Sequence, residues 1–232
     1  MTPTAPDLTP ARSRTRPGTY LNLALIAFAL LGLELVFLIV EPLLPFPADS
    51  VEAAVAHWVL TSVAWVSGSI GLVMWARNRT DLNQMGFSRP RVGAARWSAI
   101  ALLVVITLAG QWVLRGGVLP PVAEYAVLSD HFGDAGTLAW LVQVAYYIAE
   151  LGPIILIIRF GQRAGELWLR NVQIPWGGIT LAMTWGLVHF LTQDAATGVY
   201  GIVLSLVMGA IYVLTGRRLN LAAPIIAVLF II

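Results

Sequence analysis

Long apolar runs separated by short polar segments set the pattern of this chain. A helix needs about 20 largely uncharged apolar residues to cross the hydrocarbon core of a bilayer. Windows near 20–44, 55–76, 97–114, 137–158, 175–193, 196–215 and 219–232 meet or approach that length. The pattern therefore predicts an all-α, polytopic transmembrane helix bundle with about seven membrane spans, their ends placed to within a few residues. The seventh run is short. It reads as a half-span, a tilted end, or the start of a segment that continues further.

Composition agrees with the pattern. Hydrophobic residues make up 58% of the chain and charged residues 11%, with a mean hydropathy of +0.80. Those values exclude a water-soluble domain of this length and make the lipid bilayer the first partner. The chain has no cysteine, which excludes disulfides, thiolate metal sites and cysteine nucleophiles. No internal repeat is visible.

The charges orient the spans. Arginines cluster before the first span (Arg12, Arg14, Arg16), between the second and third (Arg77, Arg79, Arg89, Arg91, Arg96), between the fourth and fifth (Arg159, Arg163, Arg170) and before the seventh (Arg217, Arg218). Alternate connections carry acids instead: Asp49 and Glu52, then Glu124, Asp130 and Asp134, then Asp194. Because positive charge is retained on the cytoplasmic side, the N-terminus is expected inside and, with seven spans, the C-terminus outside. Arg115 is the one exception. The net charge of +2 is spread over four segments, a topology signal and not a nucleic-acid footprint. Residues 1–18 hold four prolines and three arginines with little to bury, so they read as a disordered cytoplasmic tail. They do not read as a cleaved signal, because the apolar run behind them is long enough to span. Residues 19–232 read as one transmembrane domain, whose longest connections are a cytoplasmic loop at 77–96 and an outer loop at 115–136.

Polar residues inside the spans carry the chemistry, since such groups face a bundle interior and mark a site or a buried hydrogen bond. They are Glu34, Gln111, Gln143, Glu150 and His189. Gln143, Tyr146, Tyr147 and Glu150 fall at i, i+3, i+4 and i+7 and so share one helix face. Gly152 and Pro153 come next, and a proline inside a helix frees a carbonyl and bends the chain, opening space beside Glu150. The face of His189 also carries Gly178, Ala182, Trp185, Gly186 and Gln193, which admits a close neighbour. Thr197, Gly201, Ser205 and Gly209, spaced by four, form a small-residue seam for tight packing. Trp58, Trp97, Trp140 and Trp176, near span ends, read as interface anchors. His57 and His131 lie at a different depth from His189.

Three segments carry a family resemblance. "GELWLR" (165–170), "WGLVH" (185–189) and "SLVMGAIYVLTGRRLNLAAPII" (205–226) resemble the conserved regions of the CPBP intramembrane metalloproteases, the family of CAAX prenyl endopeptidases and Abi-type bacteriocin-immunity proteins. The likeness covers about 137–232. It implies a helical bundle, bacterial and multi-pass in the cell membrane, in which Glu and His residues activate water to cleave a membrane peptide or protein, with zinc or another divalent metal as the implied cofactor. In that family the first motif is E-E-x-x-x-R, the second F-x-x-x-H, and the third a histidine with Asn four residues later. Glu166 and Arg170 match the first motif, with Gly165 in place of its leading Glu. Trp185 stands for the Phe of the second, and His189 is its histidine and the implied metal ligand. Val228 and Ile232 stand where the third motif has its histidine and partner. Aligning the first motif on Ala149 and Glu150 gives a membrane-embedded acid but puts Ile154 at the Arg, so Glu150 and Glu166 both remain candidate bases.

Geometry leaves that choice open. If the fourth helix continues to about 172 and the fifth begins near 175, a rise of about 1.5 Å per residue puts His189 between the levels of Glu150 and Glu166, on the order of 10 Å from each. A continuous helix from 137 to 172 would exceed the membrane thickness, so a break or a protrusion is expected.

Each polar group also has an ordinary structural reading. His189 is then a buried imidazole bonded to Gln143, Tyr147, a carbonyl or water. Glu150 is a protonated carboxyl bonded to Tyr146 or a freed carbonyl, and Glu166 with Arg170 is an exposed i, i+4 pair. Three functions are compatible with these residues: an intramembrane endopeptidase using Glu166 or Glu150 with His189; a non-catalytic relative that binds a membrane partner or confers toxin immunity; and a small transporter lined by Glu34, Gln111, Gln143 and Glu150.

Overall fold

The computed structural model describes residues 15–80 and 92–232. Among these residues the chain is helical and contains no strand, which is the expected all-α architecture. The helices are α1 (Pro17–Leu31), α2 (Leu33–Val40), α3 (Val51–Arg79), α4 (Ala94–Leu114), α5 (Pro120–Phe132), α6 (Gly136–Leu169), α7 (Trp176–Leu181), α8 (Leu187–Thr192), α9 (Ala195–Leu214) and α10 (Leu219–Ile231). A five-residue π-helical turn, Ala182–Gly186, joins α7 to α8.

Five helical segments among the described residues are long and apolar enough to cross a membrane: Pro17–Leu43, Val51–Arg79, Ala94–Leu114, Pro120–Leu169 and Ala195–Leu214. Of the seven expected spans, the fifth is divided into short pieces around the π-turn, and the seventh, α10, is shorter. The chain is a multi-pass membrane protein. Of the expected tail, residues 1–14 lie outside the described residues, and Pro17 already opens α1, its fixed φ suiting the first helical position. The expected loop at 77–96 shrinks from both ends, because α3 runs to Arg79 and α4 starts at Ala94; residues 81–91 lie outside the described residues. The expected outer loop at 115–136 is mostly helix. Pro120 starts α5 and Gly133, at φ 56°, ends it, and Trp140 Nε1 then ties it to α6 by donating to the Pro121 carbonyl at 2.9 Å.

The 34-residue helix α6 is the axis of the bundle. At about 1.5 Å per residue it is roughly 50 Å long, well beyond a hydrocarbon core of about 30 Å. It runs through Pro153 without ending, so the expected choice between break and protrusion falls to protrusion or tilt. Ile154, Ile157, Ile158 and Phe160 of α6 are fully buried with Tyr20 and Leu23 of α1, Trp65 of α3, and Met208 and Ile211 of α9. Apolar side chains also cover the outside. Leu102, Val105 and Ile106 on α4 are each about 60% exposed, an apolar outer surface suited to lipid.

Close backbone approach fixes the register of the α7–α9 hairpin. A Cβ on Gly209 would stand 2.3 Å from the Gly178 Cα, and one on Gly186 would stand 3.1 Å from the Ile202 Cα. The small-residue seam read from the sequence is therefore the α7/α8 to α9 contact, with the two arms of the hairpin antiparallel. Asp194 starts α9 by accepting from the backbone N–H of Ala196 at 2.8 Å and of Thr197 at 3.0 Å.

Candidate functional site

Two polar centres lie in the bundle, one near each end. The first is where the arginines gather. Glu166, 3% exposed, accepts from Gln162 Nε2 at 2.9 Å and from the Arg217 Nε, with Arg163 at 3.9 Å. The Arg217 guanidinium also reaches the Val172 carbonyl. Gln162 adds a bond to the Ile174 carbonyl at 3.0 Å and accepts from the Gly177 N–H at 3.0 Å. Together these bonds lock the α6–α7 turn against the α9–α10 turn. Arg170 takes no part: it caps α6 in a left-handed conformation, φ 51°, and is exposed. The exposed Glu166–Arg170 pair expected from spacing is thus replaced by a buried Glu166–Arg217 pair, because Arg217, itself at φ 64°, is aimed back into the bundle by the turn at the end of α9.

The second centre is a cavity of about 520 Å³ near the opposite end. From α6 come Gln143, Tyr146, Tyr147 and Glu150, the four residues whose spacing predicted one shared face. From α2 comes Glu34, whose Oε1 accepts from the Tyr146 hydroxyl at 2.5 Å. From α5 comes Glu124, accepting from the Tyr147 hydroxyl at 3.2 Å. From α4 comes Gln111, buried on a helix that is mostly exposed, donating to the Leu229 carbonyl at 3.0 Å and to the Tyr200 hydroxyl.

The π-turn supplies the remaining wall. An inserted residue rotates the downstream part of the helix by about a third of a turn, and such bulges recur at functional sites. Here the π-turn carries Trp185, and His189 lies one turn later on the same face. Trp185 Nε1 donates to Glu150 Oε1 at 2.9 Å. The His189 ring lies 4.3 Å from the indole, and its Nδ1 is 2.7 Å from the Trp185 carbonyl oxygen. A carbonyl only accepts, so in the neutral ring Nδ1 carries the hydrogen and Nε2 presents a bare lone pair. The carbonyl bond was among the readings of His189 drawn from sequence.

The expectation that His189 lies between the levels of Glu150 and Glu166, on the order of 10 Å from each, does not hold. Trp185 is level with Glu150, and His189 sits one turn beyond it, away from Glu166. Glu166 is sixteen residues down α6, about 24 Å at helical rise, in the other centre. Glu150 is the acid that shares a site with His189, and Glu166 and Arg170 do not join it.

Several neighbours of the cavity gave no local signal. His57, expected at the wrong depth, is 8% exposed and stands with Nε2 3.9 Å from Glu34 and Nδ1 against Glu41. Arg115, the exception to the charge pattern, lines the cavity with Glu124 and Tyr200. Trp58 lines it as well, while Trp140 and Trp176 bond to backbone carbonyls of adjoining turns. Val228, at the position of the family's second histidine, is 43% exposed and is not part of the wall. Among the described residues no three His, Asp or Glu side chains come together as a metal-ligand set. Outside the membrane-spanning helices, Asp194 is held below the ordinary carboxylate range by the Thr197 hydroxyl and backbone N–H.

Comparison of the chain with protein-family models, with characterised proteins and with solved structures returned no match.

Proposed function

We propose that this is a membrane-embedded hydrolase of CPBP type, working in a bacterial cell membrane with its N-terminus cytoplasmic, and that Glu150 and His189 are its reactive pair. One observation carries the reading: Glu150 and His189 stand on one cavity wall, joined through Trp185. The Glu150 carboxylate removes a proton from a water molecule, while the bare Nε2 of His189 accepts its second hydrogen as a hydrogen bond. The hydroxide adds to a peptide carbonyl, the proton passes to the leaving nitrogen, and the C–N bond breaks. Glu166 with Arg217 holds the opposite end of the bundle together, and neither Glu166 nor Arg170 enters the reaction. The test is cleavage of a panel of membrane-presented peptides by purified protein in liposomes. Glu150→Gln and His189→Ala each lower cleavage by at least 100-fold, the scale of general-base catalysis, whereas Arg170→Ala leaves it intact. Cleavage retained in Glu150→Gln removes the reading.

A second reading, solute transport, is favoured by a different observation: Glu34, Gln111, Gln143 and Glu150, the four residues that would line a pathway, all face this cavity. Flux in proteoliposomes that falls in Glu150→Gln without any cleavage supports it, and unaltered flux counts against it. The non-catalytic alternative draws on Gly165 and Val228, which stand where the family has chemistry-bearing groups. It is the result if both assays are silent and His189→Ala still binds its membrane partner.

A further inference from the structure

We propose that the cavity takes a protonated primary amine carried on an apolar stem. This deepens the reading above by naming what occupies the same site, and it holds independently of bond cleavage.

The hydrogen-bonding capacity of the wall sets the ligand's chemistry. Five of its donors are engaged with protein: the Tyr146 hydroxyl on Glu34, the Tyr147 hydroxyl on Glu124, Trp185 Nε1 on Glu150, Gln111 Nε2 on the Leu229 carbonyl and Tyr200, and His189 Nδ1 on the Trp185 carbonyl; Arg115, the Trp58 indole and the Gln143 amide are further donors on the wall. Its acceptors are not exhausted. A carboxylate offers about four lone-pair directions over two oxygens, and the three carboxylates receive one hydroxyl or indole hydrogen each, with His57 Nε2 also 3.9 Å from Glu34. His189 Nε2 is bare when the ring is neutral. Gln143 Oε1 is buried and, among the described residues, has no hydrogen-bond partner. A buried acceptor left this way costs free energy that a donor would recover. The carboxylates and Gln143 Oε1 thus keep acceptor capacity that an occupant rich in donors would use.

Charge and shape narrow it further. Glu34, Glu124 and Glu150 line the cavity with Arg115, which among the described residues is the one guanidinium or ammonium on the wall, and His57 stands behind Glu34; the acids outnumber these bases, which favours a cation over an anion. Three N–H donors on one ammonium match acceptors arriving from α2, α6 and α8. Trp58, Tyr147, Trp185 and Tyr200 add aromatic rings, whose faces attract cations. Phe28, Leu31, Leu35 and Leu38 form an apolar flank for the stem, and about 520 Å³ is ample for a small ligand of this kind. Such an amine has two sources, a free alkylamine or the lysine side chain of a membrane peptide.

The experiment titrates purified full-length protein in detergent with hexylamine, hexanoate and hexanol, reading heat and tryptophan fluorescence against a detergent blank. Hexylamine is expected to bind at least tenfold tighter than either analogue. Glu150→Gln and Glu34→Gln are expected to weaken it at least tenfold, and Glu124→Gln serves if either fails to fold. A lysine peptide that competes with hexylamine, where its norleucine counterpart does not, assigns the site to a peptide side chain; hexylamine binding without that competition assigns it to a free amine. Hexanoate or hexanol binding as well as the amine overturns the proposal, as does amine affinity within twofold of wild type in the folded Glu→Gln variants. Cleavage of uncharged peptides without amine binding defeats this proposal alone. Amine binding without cleavage defeats only the hydrolase reading.

Discussion

Removing the Arg217 side chain tests the division of labour between the two polar centres. Glu166 is 3% exposed and the Arg217 side chain 16%, so Arg217→Ala leaves a carboxylate inside the bundle with Gln162 and the more distant Arg163. Breaking one side of a buried pair costs about 3–5 kcal/mol, because the remaining charge stays desolvated. Loss of the bond to the Val172 carbonyl adds about 1 kcal/mol. Arg217 also sits at φ 64°, a left-handed conformation that costs a non-glycine residue roughly 1–2 kcal/mol. Arg217→Gly relieves that strain while losing the same contacts. The expected order of stability is therefore wild type, then Arg217→Gly, then Arg217→Ala, with Ala lower than wild type by about 4–6 kcal/mol and Gly about 1–2 kcal/mol above Ala. The double variant Glu166→Gln, Arg217→Met, with no charge left to bury, recovers part of the loss. Reversible unfolding in mixed micelles, monitored by tryptophan fluorescence, reads all four proteins. Arg217→Ala within about 1 kcal/mol of wild type would refute a structural ion pair, and so would glycine no better than alanine. If the double variant unfolds normally but no longer binds the cavity ligand, Glu166 belongs to the site and the assignment to Glu150 fails.

The geometry fixes three further outcomes. Gly209→Ala puts a Cβ within 2.3 Å of the Gly178 backbone and should lower stability by about 1–3 kcal/mol or more, whereas Gly71→Ala, with nothing within 4 Å, should be neutral or stabilising in the same unfolding assay. Trp185→Phe keeps the ring against His189 but removes the donor to Glu150, so activity or ligand affinity should fall well beyond any change in the unfolding midpoint; proportional losses in both would deny the indole N–H a positioning role. Asp194, with its carboxyl lowered in the folded protein, stabilises the start of α9 fully above its unfolded value of about 3.9 and loses that contribution as pH falls through the lower folded value. Hydrogen exchange at the Ala196 and Thr197 amides should accelerate, relative to the intrinsic rate, as the medium is acidified through that window in wild type and much less in Asp194→Asn, which keeps a capping oxygen without the charge; equal acceleration in both would refute the carboxylate cap.

Much of the architecture was legible from local pattern. Apolar runs marked the helices, since a lipid-facing helix needs hydrophobic residues at nearly every position, and that demand is written residue by residue. The Gln143–Tyr146–Tyr147–Glu150 stripe was readable for the same reason, because one helix turn sets its geometry. The small-residue seam predicted close packing, and Gly178 and Gly209 make it. The helix in residues 120–132 was hidden by its acids and by a short apolar run that resembles a loop at a membrane surface.

By itself, then, the sequence determined an all-helical membrane bundle and the faces on which its polar groups stand. Which of those groups meet was decided only in three dimensions. Glu150 finds Trp185 across 35 residues, Tyr146 finds Glu34 across 112, and Glu166 finds Arg217 across 51. Spacing along one helix could not foresee these partners, because they depend on helix rotation and register: a π-turn that re-aims Trp185 and His189, glycine contacts that set how far α7 slides along α9, and a left-handed Arg217 that turns inward. Periodicity records what each helix shows to its surroundings, while packing between helices selects which helix receives it.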